Sequence, residues 1–599
     1  MTEPNKQATQ PVYTEATECQ DCFKCVRHCP VKAIRIEDGR ATVMAEECVA
    51  CGECYTVCPM GAKRVRDDVG RAQELLDSGR RVVVSLAPSY VAEFTEMSTA
   101  RLIHAIKQLG VETVSETALG AQEVSANVAQ IFRDKPEPQL YISSACPTAV
   151  EVLRKYYPQL GRYVTDFCSP VLAHCRILRQ CYGQDTAVIF VGPCIGKKRE
   201  ADRHPETLEL ALTYDELRSL FDLRNVKPHQ SEADPQQDCF LPAEAEEGAL
   251  YPVDGGMIAG IKANCSVSEA QFMSESGIRS IPDALEGLHP ENLTKPVFLE
   301  ILACKGGCIN GPVLGADQGT VAKRMAVING TTYEEAKIPR TPAVDVHVTD
   351  TEEEIQAPVF TEEQIQHALR QVGKTRPEDE LNCGGCGYDN CRSFANALLQ
   401  GKAETSMCVS YMRQLAQKKA NALINTMPSG VVMVDADRRI VECNERFATL
   451  IGEDAQSIYN AYPGMEGALL RRVVPFYTLF DNVLATGRAP IERDIRHEGR
   501  ILHVTIFNIE TNQLIGAIVQ DVTEPNVRKE EVIERARDVI RRNLETVQQV
   551  ASLLGENAAE SEVVLNSIIE SFSPELEHED TQQITEDTAE HEQIEDHQA

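Results

Sequence analysis

Arg81-Val82-Val83-Val84-Ser85-Leu86-Ala87-Pro88-Ser89 is a β-branched run halted by a proline. Such a run reads as a strand buried on both faces, the kind that parallel sheets use. A helical pattern follows over residues 99–110, and strand-like runs recur at 139–144, 186–191 and 297–302. Strands alternating with helices imply α/β layers with parallel sheets. Each of the three later runs leads into a cysteine loop, at the strand end where α/β folds place their sites. These loops are Ser143-Ser144-Ala145-Cys146-Pro147, Gly192-Pro193-Cys194-Ile195-Gly196-Lys197-Lys198-Arg199-Glu200 and Ala303-Cys304-Lys305-Gly306-Gly307-Cys308. Four thiols from three distant loops can converge on one iron–sulfur cluster.

Upstream, Cys19-x2-Cys22-x2-Cys25-x3-Cys29-Pro30 is followed by Cys48-x2-Cys51-x2-Cys54-x3-Cys58-Pro59. This is the two-cluster ferredoxin spacing, in which the fourth thiol of each run serves the other cluster. Cys19, Cys22, Cys25 and Cys58 are therefore assigned to one [4Fe–4S] cluster, and Cys48, Cys51, Cys54 and Cys29 to a second. A pair of zinc knuckles is the remote alternative.

Downstream, residues 338–360 are rich in proline, threonine and acids and read as a linker. A helix over 361–372 with an acidic start precedes Cys383-x2-Cys386-x4-Cys391 and Cys408. That spacing suits a further cluster or a zinc ion. The stretch 407–426 reads as a helix leading into strands at 430–435, 439–444, 491–498, 500–508 and 514–521, an α+β unit. A further helix over 527–554 carries Ile533, Ala536, Ile540, Leu544, Val547, Ala551 and Leu554 on one stripe. This stripe suits a homodimer seam or packing against the preceding sheet. The acidic tail 573–599 has no Lys or Arg and reads as disordered.

The 599 residues thus divide into an N-terminal extension (1–15), an α+β two-cluster ferredoxin domain (16–66) and an α/β domain (78–337). After the linker come a small four-cysteine domain (361–412), an α+β domain (418–523), a helical region (527–572) and the tail. A net charge of −32 argues against nucleic acid as a partner. No run approaches the ~18 apolar residues of a membrane span, and no secretory signal opens the sequence, so a cytoplasmic protein is expected. There, 22 cysteines need a role other than disulfides.

The three cysteine loops resemble the signatures of [FeFe]-hydrogenases, TSCCPxW, MPCxxKxxE and ExMACxxGCxxGG. The resemblance implies an H-cluster: a [4Fe–4S] half held by Cys146, Cys194, Cys304 and Cys308, with Cys308 bridging to a dinuclear iron unit. That unit carries CO, cyanide and a bridging dithiolate. Lys197 matches the lysine that holds one cyanide, with Glu200 three residues on. Ala87, Pro88 and Ser89 match the motif that approaches the other, and Pro170 and Tyr251 fall where the family lines its cavity. Four positions depart from the pattern. Ala145 replaces the cysteine that relays protons, Asn127 falls where the first relay glutamate stands, and Gly192 and Leu302 replace methionines. Losing a positioned acid–base group costs ~10²–10⁴ in rate, so slow turnover is expected, with Cys168 as a candidate substitute relay.

Residues 383–408 resemble a small four-cysteine [4Fe–4S] domain, and residues 418–523 resemble a PAS sensor domain. In this order the parts are similar to the sensory, PAS-containing [FeFe]-hydrogenases. The resemblance implies slow reversible H2 cleavage, with redox state relayed through the clusters to the PAS domain. It implies a ferredoxin-type electron carrier, hydrogenase maturation proteins and a signalling kinase or phosphatase as partners. An ordinary electron-transfer hydrogenase and a non-catalytic iron–sulfur scaffold are the alternatives. Cys168, Cys175, Cys181, Cys239, Cys265 and Cys443 are left without a ligand role and read mostly as buried hydrophobes.

Overall fold

The computed structural model describes residues 10–523 and 541–542, apart from 135–136, 231, 266–269, 316–317, 332–337 and 349–353. Nearly all of the expected helical region and the whole acidic tail lie outside the described residues. The chain divides into two compact units, Met1–Met412 and Arg413–Ala599.

In the first unit the Val82–Leu86 run is the second strand of a four-stranded parallel sheet, ordered Thr113–Glu116, Val82–Leu86, Ala187–Val191, Leu210–Leu212. A second parallel sheet has the order Gln271–Ser276, Val297–Leu302, Leu140–Ile142. Val82–Leu86, Ala187–Val191 and Val297–Leu302 are buried along their whole length, as strands covered on both faces should be. The helices Ala118–Arg133 and Pro170–Tyr182 lie between the sheets. Val124, Val128, Val171 and Leu178 share one core with Val83 and Val188 of the first sheet and Phe298 of the second. Packed this way, the two sheets bring their strand ends to a common region.

The ferredoxin-like segment is built of two antiparallel pairs, Val12–Thr14 with Lys63–Val65 and Ile34–Glu37 with Arg40–Val43. Two short helices, Lys24–His28 and Glu53–Thr56, begin inside the cysteine runs. Gly52 has φ +81°, and a Cβ there would fall 2.6 Å from Pro312 and 2.8 Å from Ile195. The second cysteine run can therefore press against the Cys194 loop only because residue 52 lacks a side chain. The helix Glu362–Gln371 opens on a capping box made by Thr361 and Gln364.

The second unit holds a five-stranded antiparallel sheet ordered Ile440–Cys443, Gly430–Asp435, Leu514–Asp521, Arg500–Glu510, Ile491–His497. Helices Glu445–Ile451 and Thr478–Thr486 cover it, with Phe447 and Phe480 fully buried. Asn444 is the hub. Its Oδ1 accepts from the Val431 and Phe447 amides at 2.9 Å, and its Nδ2 donates to Ser429 O at 2.9 Å and Ile424 O at 2.8 Å. Ile424 belongs to the helix Val409–Thr426, so one side chain fastens that helix to the sheet.

Candidate metal centre

Four strand ends converge. Ala87, Pro88 and Ser89 follow Val82–Leu86, and Cys194 follows Ala187–Val191. Cys146 follows Leu140–Ile142 as the N-cap of the helix Pro147–Tyr156, and Cys304 and Cys308 follow Val297–Leu302. Two adjoining cavities result. The first is lined by Cys146, Cys194, Cys304 and Cys308, with Ala50 and Cys51 of the ferredoxin-like segment on its rim. The second encloses about 100 Å³ and is lined by Ala87, Pro88, Ser89, Ala145, Pro170, Lys197, Tyr251 and Leu302. It shares Cys146, Cys194 and Cys308 with the first.

Lys197 is the one cation in the wall of the second cavity among the described residues. Its Nζ donates to Glu200 Oε2 at 2.6 Å and to Ser169 Oγ at 2.9 Å, all buried. Burial opposes the ammonium charge, but Glu200 and the nearby Cys194 outweigh it, and the lysine is held above its ordinary pKa. An ammonium has three donors; two are used, and the third is left for an occupant. A charge this deep needs such partners, since unpaired burial is costly.

The hydroxyl of Ser89 lies 2.7 Å from that of Tyr214, which also donates to Ala87 O at 3.2 Å. Tyr251 reaches Ser125 Oγ at 2.8 Å. Burial pushes both phenols up, so each stays a neutral donor. Pro170 opens the helix Pro170–Tyr182 and stiffens the wall.

The positions that depart from the family pattern have physical surroundings of their own. Ala145 lines the cavity with a methyl group, its amide bonded to Ser143 Oγ at 3.2 Å. At Gly192 a Cβ would fall 2.5 Å from the Phe190 ring and 2.8 Å from Ala87, so Phe190 fills the space a larger residue would need. Asn127 does not face the cavity; its Nδ2 bonds back to Glu123 O at 2.9 Å within its own helix. Cys168 is buried behind Ser169 and lines a separate polar cleft with Glu200, Glu151 and Arg199. Burial pushes its thiol up to about 11. Cys175, Cys265 and Cys443 are buried as expected, whereas Cys181 is exposed and Cys239 half-buried. Cys181 stands in the last turn of Pro170–Tyr182, where the helix leaves the core.

Cys19, Cys22, Cys25 and Cys58 ring one cavity. Cys29, Cys48, Cys51 and Cys54 lie within electrostatic range of one another. Burial drives the thiols up, to about 11 for Cys25, Cys29 and Cys194 and well above the ordinary value for Cys51, Cys54 and Cys304. Such thiols give up their protons when a metal centre arrives to supply compensating charge. Cys386, Cys391 and Cys408 are buried and Cys383 exposed. The Cys19, Cys22, Cys25, Cys58 set and the Cys146, Cys194, Cys304, Cys308 set each ring a cavity. Among the described residues no three His, Cys, Asp or Glu are placed to hold a single metal ion. A cavity ringed by four thiols suits a multi-iron cluster, and the apolar second cavity with its buried ammonium fits a compact anionic group beside it.

Ser169, Ser125 and Tyr214 were not legible as site residues, because each acts through a contact made only by folding. Glu300, which begins the third signature, is buried; its Oε1 accepts from the Met257 amide at 3.2 Å, and burial pushes it up to about 7.

Residues 80–312 match the family described as the C-terminal domain of the iron-only hydrogenase large subunit. Residues 11–59 match 4Fe-4S dicluster domains, residues 379–410 an Fe-S cluster family, and residues 419–488 PAS domains. Iron hydrogenase 1 of Clostridium pasteurianum is 25% identical over 290 residues, 39% of this chain. The match spans 50% of that relative's length. A solved structure of the [FeFe]-hydrogenase HydA1 from Chlamydomonas reinhardtii aligns at 18% identity over 44% of this chain and 90% of that one, with a TM-score of 0.34. The PAS domain of an HTR-like protein from Haloarcula marismortui aligns at 20% identity over 18% of this chain and 99% of that one, with a TM-score of 0.14. No described helix is long and apolar enough to cross a membrane. The chain carries an iron-only hydrogenase domain, two Fe–S modules and a PAS domain, the domain set of a PAS-containing [FeFe]-hydrogenase.

Proposed function

We propose that the chain is a sensory [FeFe]-hydrogenase that cleaves H2 reversibly and slowly and reports redox state through its Fe–S clusters to the PAS domain. The observation that carries the reading is the pair of adjoining cavities sharing Cys146, Cys194 and Cys308, with the Lys197–Glu200 pair in the wall of the inner one. Cys146, Cys194, Cys304 and Cys308 would hold the four-iron half of an H-cluster, and Cys308 would reach the two-iron half. When bound, that group supplies an open iron site and a base at which H2 is split into a proton and a two-electron equivalent.

The chain's own residues bind, orient and exclude water. Lys197 offers its remaining N–H to an anionic ligand, and Glu200 and Ser169 fix where the ammonium points. Ser89, whose hydroxyl is engaged by Tyr214, places its oxygen in the same cavity wall. Pro88, Pro170, Leu302 and Phe190 keep the cavity dry, which strengthens every charge interaction within it. Ala145 cannot accept a proton, so proton exit lacks its usual first carrier and turnover is slow. Cys19, Cys22, Cys25 and Cys58, and Cys48, Cys51, Cys54 and Cys29, would hold two electron-transfer clusters serving a ferredoxin-type carrier. Cys383, Cys386, Cys391 and Cys408 would hold a third cluster, one residue before the helix that leads to the PAS sheet. A signalling kinase or phosphatase would receive the output.

Exposure of the chain, loaded with the help of maturation proteins, to H2 tests this. Bleaching of the Fe–S absorbance under H2 and not under argon is the expected result. No bleaching, with clusters that still bleach under a chemical reductant, would point to a non-catalytic scaffold.

A further inference from the structure

The four-cysteine segment is seated on the ferredoxin-like segment through several contacts, and one group of them surrounds Lys32. Lys32 lies three residues beyond Cys29, and its amide donates to Cys29 O at 3.4 Å. The Lys32 Nζ donates to Gly387 O at 2.7 Å, next to Cys386. The same ammonium stands 5.9 Å from the centre of the Tyr388 ring and is under the electrostatic influence of both Cys29 and Cys386. Beside it, Lys402 Nζ pairs with Glu47, the neighbour of Cys48, at 2.7 Å, and Lys402 O accepts from the Ile36 amide at 2.9 Å. The Cys29 set also reaches the metal centre, since Cys51 lines the cavity of Cys146, Cys194, Cys304 and Cys308.

We infer that the cluster held by Cys29, Cys48, Cys51 and Cys54 is a branch point, with Lys32 forming the link to the cluster held by Cys383, Cys386, Cys391 and Cys408. This deepens the proposed function and rests on its reading of the sixteen cysteines as cluster ligands. One branch runs to the Cys19–Cys58 cluster and out to a one-electron carrier. The other runs by the hydrogen-bonded path Cys29 C=O, Lys32 and Gly387 C=O to the Cys386 loop. H2 oxidation releases two protons and two electrons. The branch-point cluster passes the electrons singly, and is oxidised by one each time a neighbour is reduced by one. One electron can thus reduce the sensory cluster while the other leaves on the carrier, so the sensory cluster need not compete in series with the output.

Lys32 is not the only bridge. Arg27 donates to Gly385 O at 3.3 Å and to Cys22 O at 3.0 Å. It ties the same segment to the other cysteine run and supplies the control. Lys32 has φ +52°, so an unbranched replacement is used: Lys32→Met against Arg27→Gln, both in the full loaded chain. Stopped reduction by a photogenerated chemical donor, followed by electron paramagnetic resonance, needs no H2 activity and so reads the branch even if the proposed function fails. The signal that changes in Cys383→Ser identifies the sensory cluster. In the unsubstituted chain that signal is expected to be split by magnetic interaction with the branch-point cluster. Lys32→Met should slow its reduction severalfold while leaving the Cys19–Cys58 cluster unaffected, and Arg27→Gln should leave both rates unchanged. Hydrogen exchange at the Ile36 amide, bonded to Lys402 O, should stay protected in Lys32→Met if docking is intact. Slowing by Arg27→Gln but not Lys32→Met would overturn the inference in favour of a series route through Cys22. Equal slowing of both clusters, loss of Ile36 protection, or absence of any signal assignable to Cys383 would overturn it as well.

Discussion

Position 145 holds a methyl group at the wall of the inner cavity, where hydrogenases of the resembled family carry a proton-relaying thiol. A positioned acid–base group contributes ~10²–10⁴ in rate. Ala145→Cys is therefore expected to raise H2 production by about 10²-fold or more, measured by gas evolution from a reduced dye. An unchanged rate would show that proton exit does not pass this position. Glu300 provides a second residue-scale test. Burial holds its carboxyl at about 7 against an ordinary 4.5, so the folded chain keeps a proton that the unfolded chain releases between those values. Stability consequently falls as pH rises through that window. Glu300→Gln should flatten the fall in Tm between about pH 4.5 and about pH 7, and Glu116, also held at about 7, should leave a residual slope.

Elements were legible in the sequence in proportion to their burial pattern. The runs at Val82–Leu86, Ala187–Val191 and Val297–Leu302 stood out because parallel strands covered on both faces are apolar throughout. The strands Thr113–Glu116, Leu210–Leu212 and Gln271–Ser276 went unread for identifiable reasons. The first buries Thr113, Ser115 and Glu116, the second is three residues long, and the third is an edge strand facing partly outward. In the PAS-like sheet all five strands were read from the sequence, although the fourth extends two residues past the expected end, to Glu510. The cysteine sets and the Lys197–Glu200 pair were visible from spacing, whereas Ser169, the second partner of Lys197, and Tyr214, the partner of Ser89, lie 28 and 125 residues away and could emerge only from the fold. The same holds for Asn444, whose four hydrogen bonds join helix Val409–Thr426 to the sheet. Asn444→Ala leaves buried backbone donors and acceptors unpaired, at about 1–3 kcal/mol each. Chemical denaturation should show a lower midpoint for the transition of the PAS-containing unit, and an unchanged midpoint would remove Asn444 as the fastening point.

At the scale of the whole molecule, close approach between distant segments of the chain joins the redox parts. Gly52 lets the ferredoxin-like segment press against the Cys194 loop, and Lys32 and Lys402 seat the four-cysteine segment on the ferredoxin-like one. These contacts give the proposed electron path an order from the cavity to the four-cysteine segment. The proposed chemistry requires an anionic two-iron group in the inner cavity, where Lys197 is the only cation among the described lining residues. Infrared spectroscopy of the chain expressed with hydrogenase maturation proteins tests this most directly. The expected result is CO and cyanide stretching bands, with the cyanide bands shifted in Lys197→Met. A chain that binds its iron–sulfur clusters but shows no CO or cyanide bands would contradict it.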